Sequence, residues 1–381
     1  MEFAAGLGSG VLGYVLPFLA ILTAVVFVHE LGHYWVARRC GVRVEVFSVG
    51  FGSELFGWTD RAGTRWKISV IPLGGDVKFL GDRDAASRPD AALADQTPEQ
   101  RAHSFPSKSV GQRAAIVAAG PIANFIFAIL VFAAVFATAG EPYTPPVIGG
   151  IEPGGAAERA GLAEGDAIVE MNGRAVVRFE DIRQIVQLGL GAPLAVVIER
   201  GGERRALDVT PDVVEIKDSL GNVSKIGRLG IKSKGYAYVR HDPATAAWRA
   251  VIASWSQADI AYTAVSQMIA GTRTTQEIGG PMRIAWISGE VAQAGILAAI
   301  TFTAILSVHL GIINLLPVPM LDGGHLLFYV IEALKGKPLS SRAQEYGFRI
   351  GLALVMLLFL FATWNDLVHL RIVQFIQGLM T

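Results

Sequence analysis

Cysteine is almost absent from this chain: Cys40 is the single one in 381 residues. One thiol makes no internal disulfide and no multi-thiolate metal site, so any metal must be held by His, Asp or Glu. Charge is scarce as well. Asp, Glu, Lys and Arg supply 17% of the residues, with 33 basic against 33 acidic, and such a balance offers no basic footprint for nucleic acid and no field for an acidic substrate. The leader MEFAAGLGSG has no Lys or Arg, and Arg38-Arg39 rather than an A-x-A-like site follow the first apolar run. That pattern argues for a retained helix over a cleaved signal peptide.

What the chain has in excess is apolar sequence, 52% of all residues, more than an ordinary soluble domain of this size carries. Residues 11 to 28 are 18 positions without a charge, and a bilayer core of about 30 Å needs roughly 20 such residues in a helix. Further runs at 114 to 139, 296 to 316 and 348 to 364 predict a polytopic α-helical membrane protein with about four transmembrane helices. Positive flanks stay cytoplasmic. Arg38, Arg39 and Arg43 after the first run, and Lys335, Lys337, Arg342 and Arg349 between the third and fourth, agree on one orientation, with both termini and residues 140 to 295 outside the cytoplasm.

The expected organisation is a first span at 1–40, a cytoplasmic-side β-rich loop and linker at 41–112, and a second span at 113–139. A PDZ-like domain at 140–215 follows, then an extracytoplasmic linker with an interfacial helix at 216–295, a third span at 296–325, and a loop, fourth span and C-terminal segment at 326–381. VEVFSVGFGSELFGW and TRWKISVIPLGGDVKFLG have the Val/Ile/aromatic content and Gly punctuation of β-hairpins. Strands this apolar are expected to dip toward the membrane, the alternative being a small soluble β-cap. Residues 83 to 103 are polar and rich in Ala, Pro and Asp and read as a mobile linker.

Short strands and Gly-rich turns from Val147, then a helix opening near Phe179 and a Gly201-Gly202 hairpin signal, describe a compact α+β domain. AAERAGLAEGDAIVEMNG resembles the PDZ module, which takes up an extended peptide by β-augmentation. A peptide ligand in that groove is one expectation and a structural spacer of the same fold the other. In 245 to 271, Trp248, Val251, Trp255, Ile260 and Val265 recur at near-helical spacing with Arg249 and Asp259 between them. This suits a helix lying on lipid at the bilayer surface, with a fifth span as its rival.

The chemistry concentrates in His29-Glu30-Leu31-Gly32-His33. On a helix the two histidines share a face, two imidazoles can bind one Zn²⁺, and Glu30 beside them can take a proton from the attacking water. Ionisable groups inside a span are costly and mark function; two histidines snorkelling at a helix end is the bland alternative. A third ligand must come from elsewhere. Asp322 in GIINLLPVPMLDGGH is favoured, because Pro317 and Pro319 force the chain out of helix and turn Asp322 back toward the His pair. His325, His309 and Glu332 are rivals. Asn314 could hydrogen-bond substrate or a developing oxyanion, or could serve helix packing alone.

With these motifs in order, HELGH at 29–33, GFG at 50–52, IPLGG-VKF at 71–79, AAGPIANF at 118–125, the PDZ-like segment and NLLPVPMLDGGH at 314–325, nearly the whole chain resembles the site-2 protease family of intramembrane zinc metalloproteases. It is most similar to the bacterial regulator-of-sigma-E branch, which degrades membrane-bound anti-sigma factors. The resemblance implies zinc held by His29, His33 and Asp322, Glu30 as general base, and Asn314 positioning the substrate. It also implies that the β-rich loop, with Gly50, Phe51, Gly52, Gly74 and Gly75, engages substrate as an added strand. The expected substrates are single-span membrane proteins in a bacterial inner membrane, cut near its cytoplasmic face. Two features depart from the branch: one PDZ-like segment is legible where tandem domains are usual, and Asp76 stands where Tyr is common. A membrane zinc transporter or sensor, and a non-catalytic PDZ scaffold, are the readings of other classes.

Overall fold

A computed structural model describes residues 2–82, 97–217, 223–271, 274 and 279–369, with backbone alone for residues 2–11. It divides into two compact units. The larger comprises residues 1–133, 247–264 and 275–381, and the smaller 134–246 and 265–274.

In the larger unit the uncharged run folds as α1 (Glu2–Arg39). Arg38 and Arg39 lie in its last turn, where cations complement the carbonyl end of the helix dipole. Then come β1 (Val44–Thr59) and β2 (Arg65–Phe79), the short α2 (Pro98–Ala102) and α3 (Val110–Thr138). The capping box that starts α2, Thr97 with Gln100, falls inside the stretch read as linker; residues 83–96 of that stretch lie outside the described residues.

The two hairpins expected at 44–80 are instead one sheet. β1 and β2 pair antiparallel from Val44 opposite Phe79 to Thr59 opposite Arg65, and Val46–Val49 take partners on both sides, at Arg65–Ile68 and at Gly75–Lys78. The reason is the doubling-back of each strand at its glycines. Gly50 and Gly74 hold φ of 89° and 138°, and a Cβ on Gly50 would stand 2.7 Å from Ile71 O, an approach only glycine permits. Gly75–Phe79 is thereby left as an outer edge, with β1 on one side. Val44, Phe47, Val77 and Phe79 are buried against Ala37, Ile116 and Val117 of α1 and α3. Phe51, Leu55, Phe56, Trp58, Val70 and Ile71 are exposed.

The smaller unit starts with β3 (Glu141–Tyr143), β4 (Ile148–Ile151), α4 (Ala156–Arg159), β5 (Ala167–Met171), β6 (Arg174–Ala175), α5 (Phe179–Leu188), β7 (Leu194–Arg200) and β8 (Glu203–Val209). β6-β5-β7-β8 form a four-stranded sheet. Phe179, Ile182 and Val186 on one face of α5 close a core with Ile168, Val196, Ile198 and Val209. The stretch from 216, read as linker, carries further structure: β9 (Asp212–Lys217) pairs with β10 (Val223–Arg228), β11 (Ile231–Ser233) with β4, and β12 (Ala237–Val239) with β3. These strands escape a sequence reading because they are short and show no sustained apolar run; β11 and β12 gain their partners from segments some 80 to 100 positions away.

Asp242 caps α6 (Pro243–Ile269) by accepting from the amides of Ala244 and Thr245. α7 (Pro281–Gln293), α8 (Ile296–Leu315), α9 (Asp322–Lys335) and α10 (Ser341–His369) are the remaining elements among the described residues. Among the described residues four helical stretches are long and apolar enough to cross a membrane: Leu12–Arg39, Val110–Thr138, Ile296–Leu315 and Arg342–Val368. α6 is not among them. The third expected span, drawn to 325, stops as a helix at Leu315, and a new helix begins at Asp322. Pro317 and Pro319 break the first, and Gly323, whose Cβ would fall 2.2 Å from Leu316 O, lets the second start hard against it.

Candidate metal centre

His29 and His33 stand one turn apart on α1, both buried, with their rings edge-on at 4.8 Å and their Nε2 atoms 3.2 Å apart. Asp322, the first residue of α9, brings Oδ2 to 3.1 Å from His29 Nε2 and 3.5 Å from His33 Nε2. That oxygen is buried and has no hydrogen-bond partner. Tetrahedral zinc with bonds of about 2.0–2.2 Å sets its ligand atoms about 3.3–3.5 Å apart, so the three distances come within about 0.2 Å of what one ion requires. Among the described residues this is the cluster of three metal-ligating side chains that could hold one.

The rivals fall away on position. Glu332 is tied to Arg113 at 2.6 Å. His325 lines the cavity but stacks toward Phe348, ring centroids 5.3 Å apart, and His309 lies outside that lining.

The cavity over the centre, about 420 Å³, contains Glu30 beside the imidazoles. Of the residues expected to position substrate, Phe51, Gly74, Gly75 and Asn314 line it, whereas Gly50 and Gly52 do not. Gly75 matters by what it lacks: a Cβ there would meet Glu30 Cγ at 2.7 Å. Gly74 does the same for the Phe51 ring, at 2.2 Å. Asp76 also lines the cavity, on the Gly75–Phe79 edge.

One wall of the centre was missed by sequence reasoning. On α3, Ile116, Gly120 and Asn124 follow one another at four-residue spacing and so share a face. Ile116 O lies 2.9 Å from His33 Nδ1, and the Asn124 amide 3.2 Å from His29 Nδ1. Gly120 leaves room for both rings, since its Cβ would sit 2.3 Å from His33 Nε2 and 2.9 Å from His29 Cε1. The signal was present in AAGPIANF as a small and a polar residue one turn apart inside an apolar span.

Residues 17–358 match the model of Peptidase family M50. The chain belongs to that family. It is 44% identical over 360 residues to a protein of Agrobacterium fabrum named as a zinc metalloprotease, covering 93% of this chain and 96% of that one. It is 45% identical to one of Rhizobium meliloti so named, over 93% and 97% of the two chains. Metalloprotease MmpA of Caulobacter vibrioides is 37% identical over 98% of this chain and 100% of its own. Among solved structures, the HtrA3 PDZ domain bound to a phage-derived ligand is 24% identical, spans 20% of this chain and 83% of its own, and gives a TM-score of 0.18. As an M50 peptidase, the protein is a zinc-dependent membrane metalloprotease of the site-2 protease family.

Proposed function

We propose that this peptidase hydrolyses peptide bonds within the transmembrane segments of single-span membrane proteins, anti-sigma-factor-like proteins among them, with His29, His33 and Asp322 as zinc ligands. The observation that carries the reading is the convergence of Asp322 Oδ2 on two imidazole nitrogens at 3.1 and 3.5 Å, on a helix apolar enough to span a membrane. When bound, zinc supplies a Lewis acid that polarises the scissile carbonyl and acidifies water. Glu30, in the same cavity, is placed to take the proton from an attacking water and deliver it to the leaving nitrogen. Asn314 donates its amide N–H toward the carbonyl oxygen as charge develops there.

A substrate helix has its backbone groups bonded internally and must unwind before cleavage. The Gly75–Phe79 strand, lining the same cavity through Gly75, Val77 and Phe79, lies at the rim of its sheet, where an unwound segment could be held as an added strand. The charge pattern of Arg38, Arg39 and Arg43 supports a centre near the cytoplasmic face of a bacterial inner membrane and a PDZ-like unit on the other side, available to a peptide. The test is Glu30→Gln in purified protein, given a membrane-embedded single-span substrate. Zinc content is expected to stay at the wild-type level while cleavage falls by at least about a hundredfold; undiminished cleavage would overturn the mechanism.

A further inference from the structure

The far nitrogens of the two imidazoles are held by groups of different chemistry. His33 Nδ1 faces the carbonyl of Ile116 at 2.9 Å. A carbonyl only accepts, so Nδ1 carries a proton and, in the neutral ring, Nε2 keeps its lone pair. His29 Nδ1 instead faces the side-chain amide of Asn124, at 3.2 Å from Nδ2. An amide has a donor and an acceptor and exchanges them by a half turn about its last torsion. With the NH2 toward the ring, Nδ1 accepts and the ring proton sits on Nε2, 3.1 Å from Asp322 Oδ2. With Oδ1 toward the ring, Nδ1–H donates to it and Nε2 is a lone-pair ligand. Asn124 is fully buried and its Oδ1 has no hydrogen-bond partner. Ser307 of α8 donates to its main-chain carbonyl at 3.0 Å, which fixes the stem while leaving the amide able to turn.

We propose that Asn124 is the positioning residue that sets the tautomer of His29, presenting Oδ1 to make it a metal ligand and NH2 to make it a donor to Asp322. His33 is then the fixed ligand of the pair and His29 the adjustable one. This rests on the ligand assignment proposed above. Partners of this kind typically tune metal affinity by 10- to 100-fold.

The test uses the full chain in detergent and zinc alone as probe, with affinity read by chelator competition and folding by thermal melting. Asn124→Leu removes both functions and is expected to weaken zinc binding roughly 10- to 100-fold. Asn124→Asp retains an acceptor and loses the donor, so affinity is expected to equal or exceed wild type, with nitrogen NMR of the zinc-loaded protein placing the His29 proton on Nδ1. Wild-type affinity in a folded Asn124→Leu protein would overturn the proposal, as would an Asn124→Asp protein as weak as the leucine variant. Undiminished affinity in His29→Ala would instead overturn the ligand assignment itself, a result separable from the other two.

Discussion

Asp166 in the smaller unit and Asp322 in the larger are both aspartates withdrawn from water, and the fold treats them in opposite ways. Asp166 is fully paired. Its Oδ1 accepts from Arg200 Nε at 2.6 Å, and its Oδ2 from Arg200 Nη2 at 2.7 Å and from the Ala163 amide at 2.8 Å. Asp322 Oδ2 has no such donor and faces two imidazole nitrogens. A buried carboxylate with every lone pair met is a fastener, because removing its partner costs more than the pair itself contributes. A buried carboxylate left short of donors is costly unless something else fills the gap, and that is the physical mark separating the proposed zinc site from the scaffold.

The contrast is broken most completely at Gly120. Gly120→Ala puts a Cβ 2.3 Å from His33 Nε2, displacing the rings by more than the about 0.2 Å that metal–ligand distances tolerate. Metal analysis of the purified variant is expected to find under about a tenth of the wild-type zinc, with no change in the smaller unit; full zinc content would show the α3 wall to be dispensable. The matching blow to the other aspartate is Arg200→Ala, which leaves Asp166 buried and unpaired. Amide hydrogen exchange in β5 and β7 is expected to quicken at least about tenfold, while zinc content stays put. Unchanged exchange would mean that the pair is ornamental.

The smallest effect is one of acidity. Burial raises the Asp166 carboxyl, but the hydrogen bonds and charge of Arg200, with the Ala163 amide, outweigh it and hold the group below its usual value. Its contribution to stability is therefore complete above the unfolded value of about 4 and is lost as pH falls below that toward the folded value. Exchange in β5 and β7 is expected to be flat with acidity above about pH 5, after correction for intrinsic rates, and to rise below about pH 4 in wild type but not in Arg200→Ala. Equal acid sensitivity in both would remove the linkage.

The parts legible in the sequence are those written in composition and short-range spacing. Four apolar runs, the His29–His33 interval, and the two prolines that stop a helix before Asp322 each act over a few residues. What was not legible depended on distant partners. No local pattern says that Val46 pairs with both Arg65 and Lys78, which is how two apparent hairpins became one sheet. The paired β9 and β10 and the short β11 and β12 were hidden by their brevity and by charged residues breaking up β9 and β10. Asn124 and Gly120 received no role of their own from the sequence, since that role exists only once α1 lies against α3.

The centre also has a timetable. His29 and His33 lie on α1, and Asp322 opens α9 about 290 positions later. A chain still being made holds two of the three proposed ligands together on one helix and lacks the third until all the intervening positions have been added. A product ended between α1 and α9 therefore carries the motif without the proposed centre.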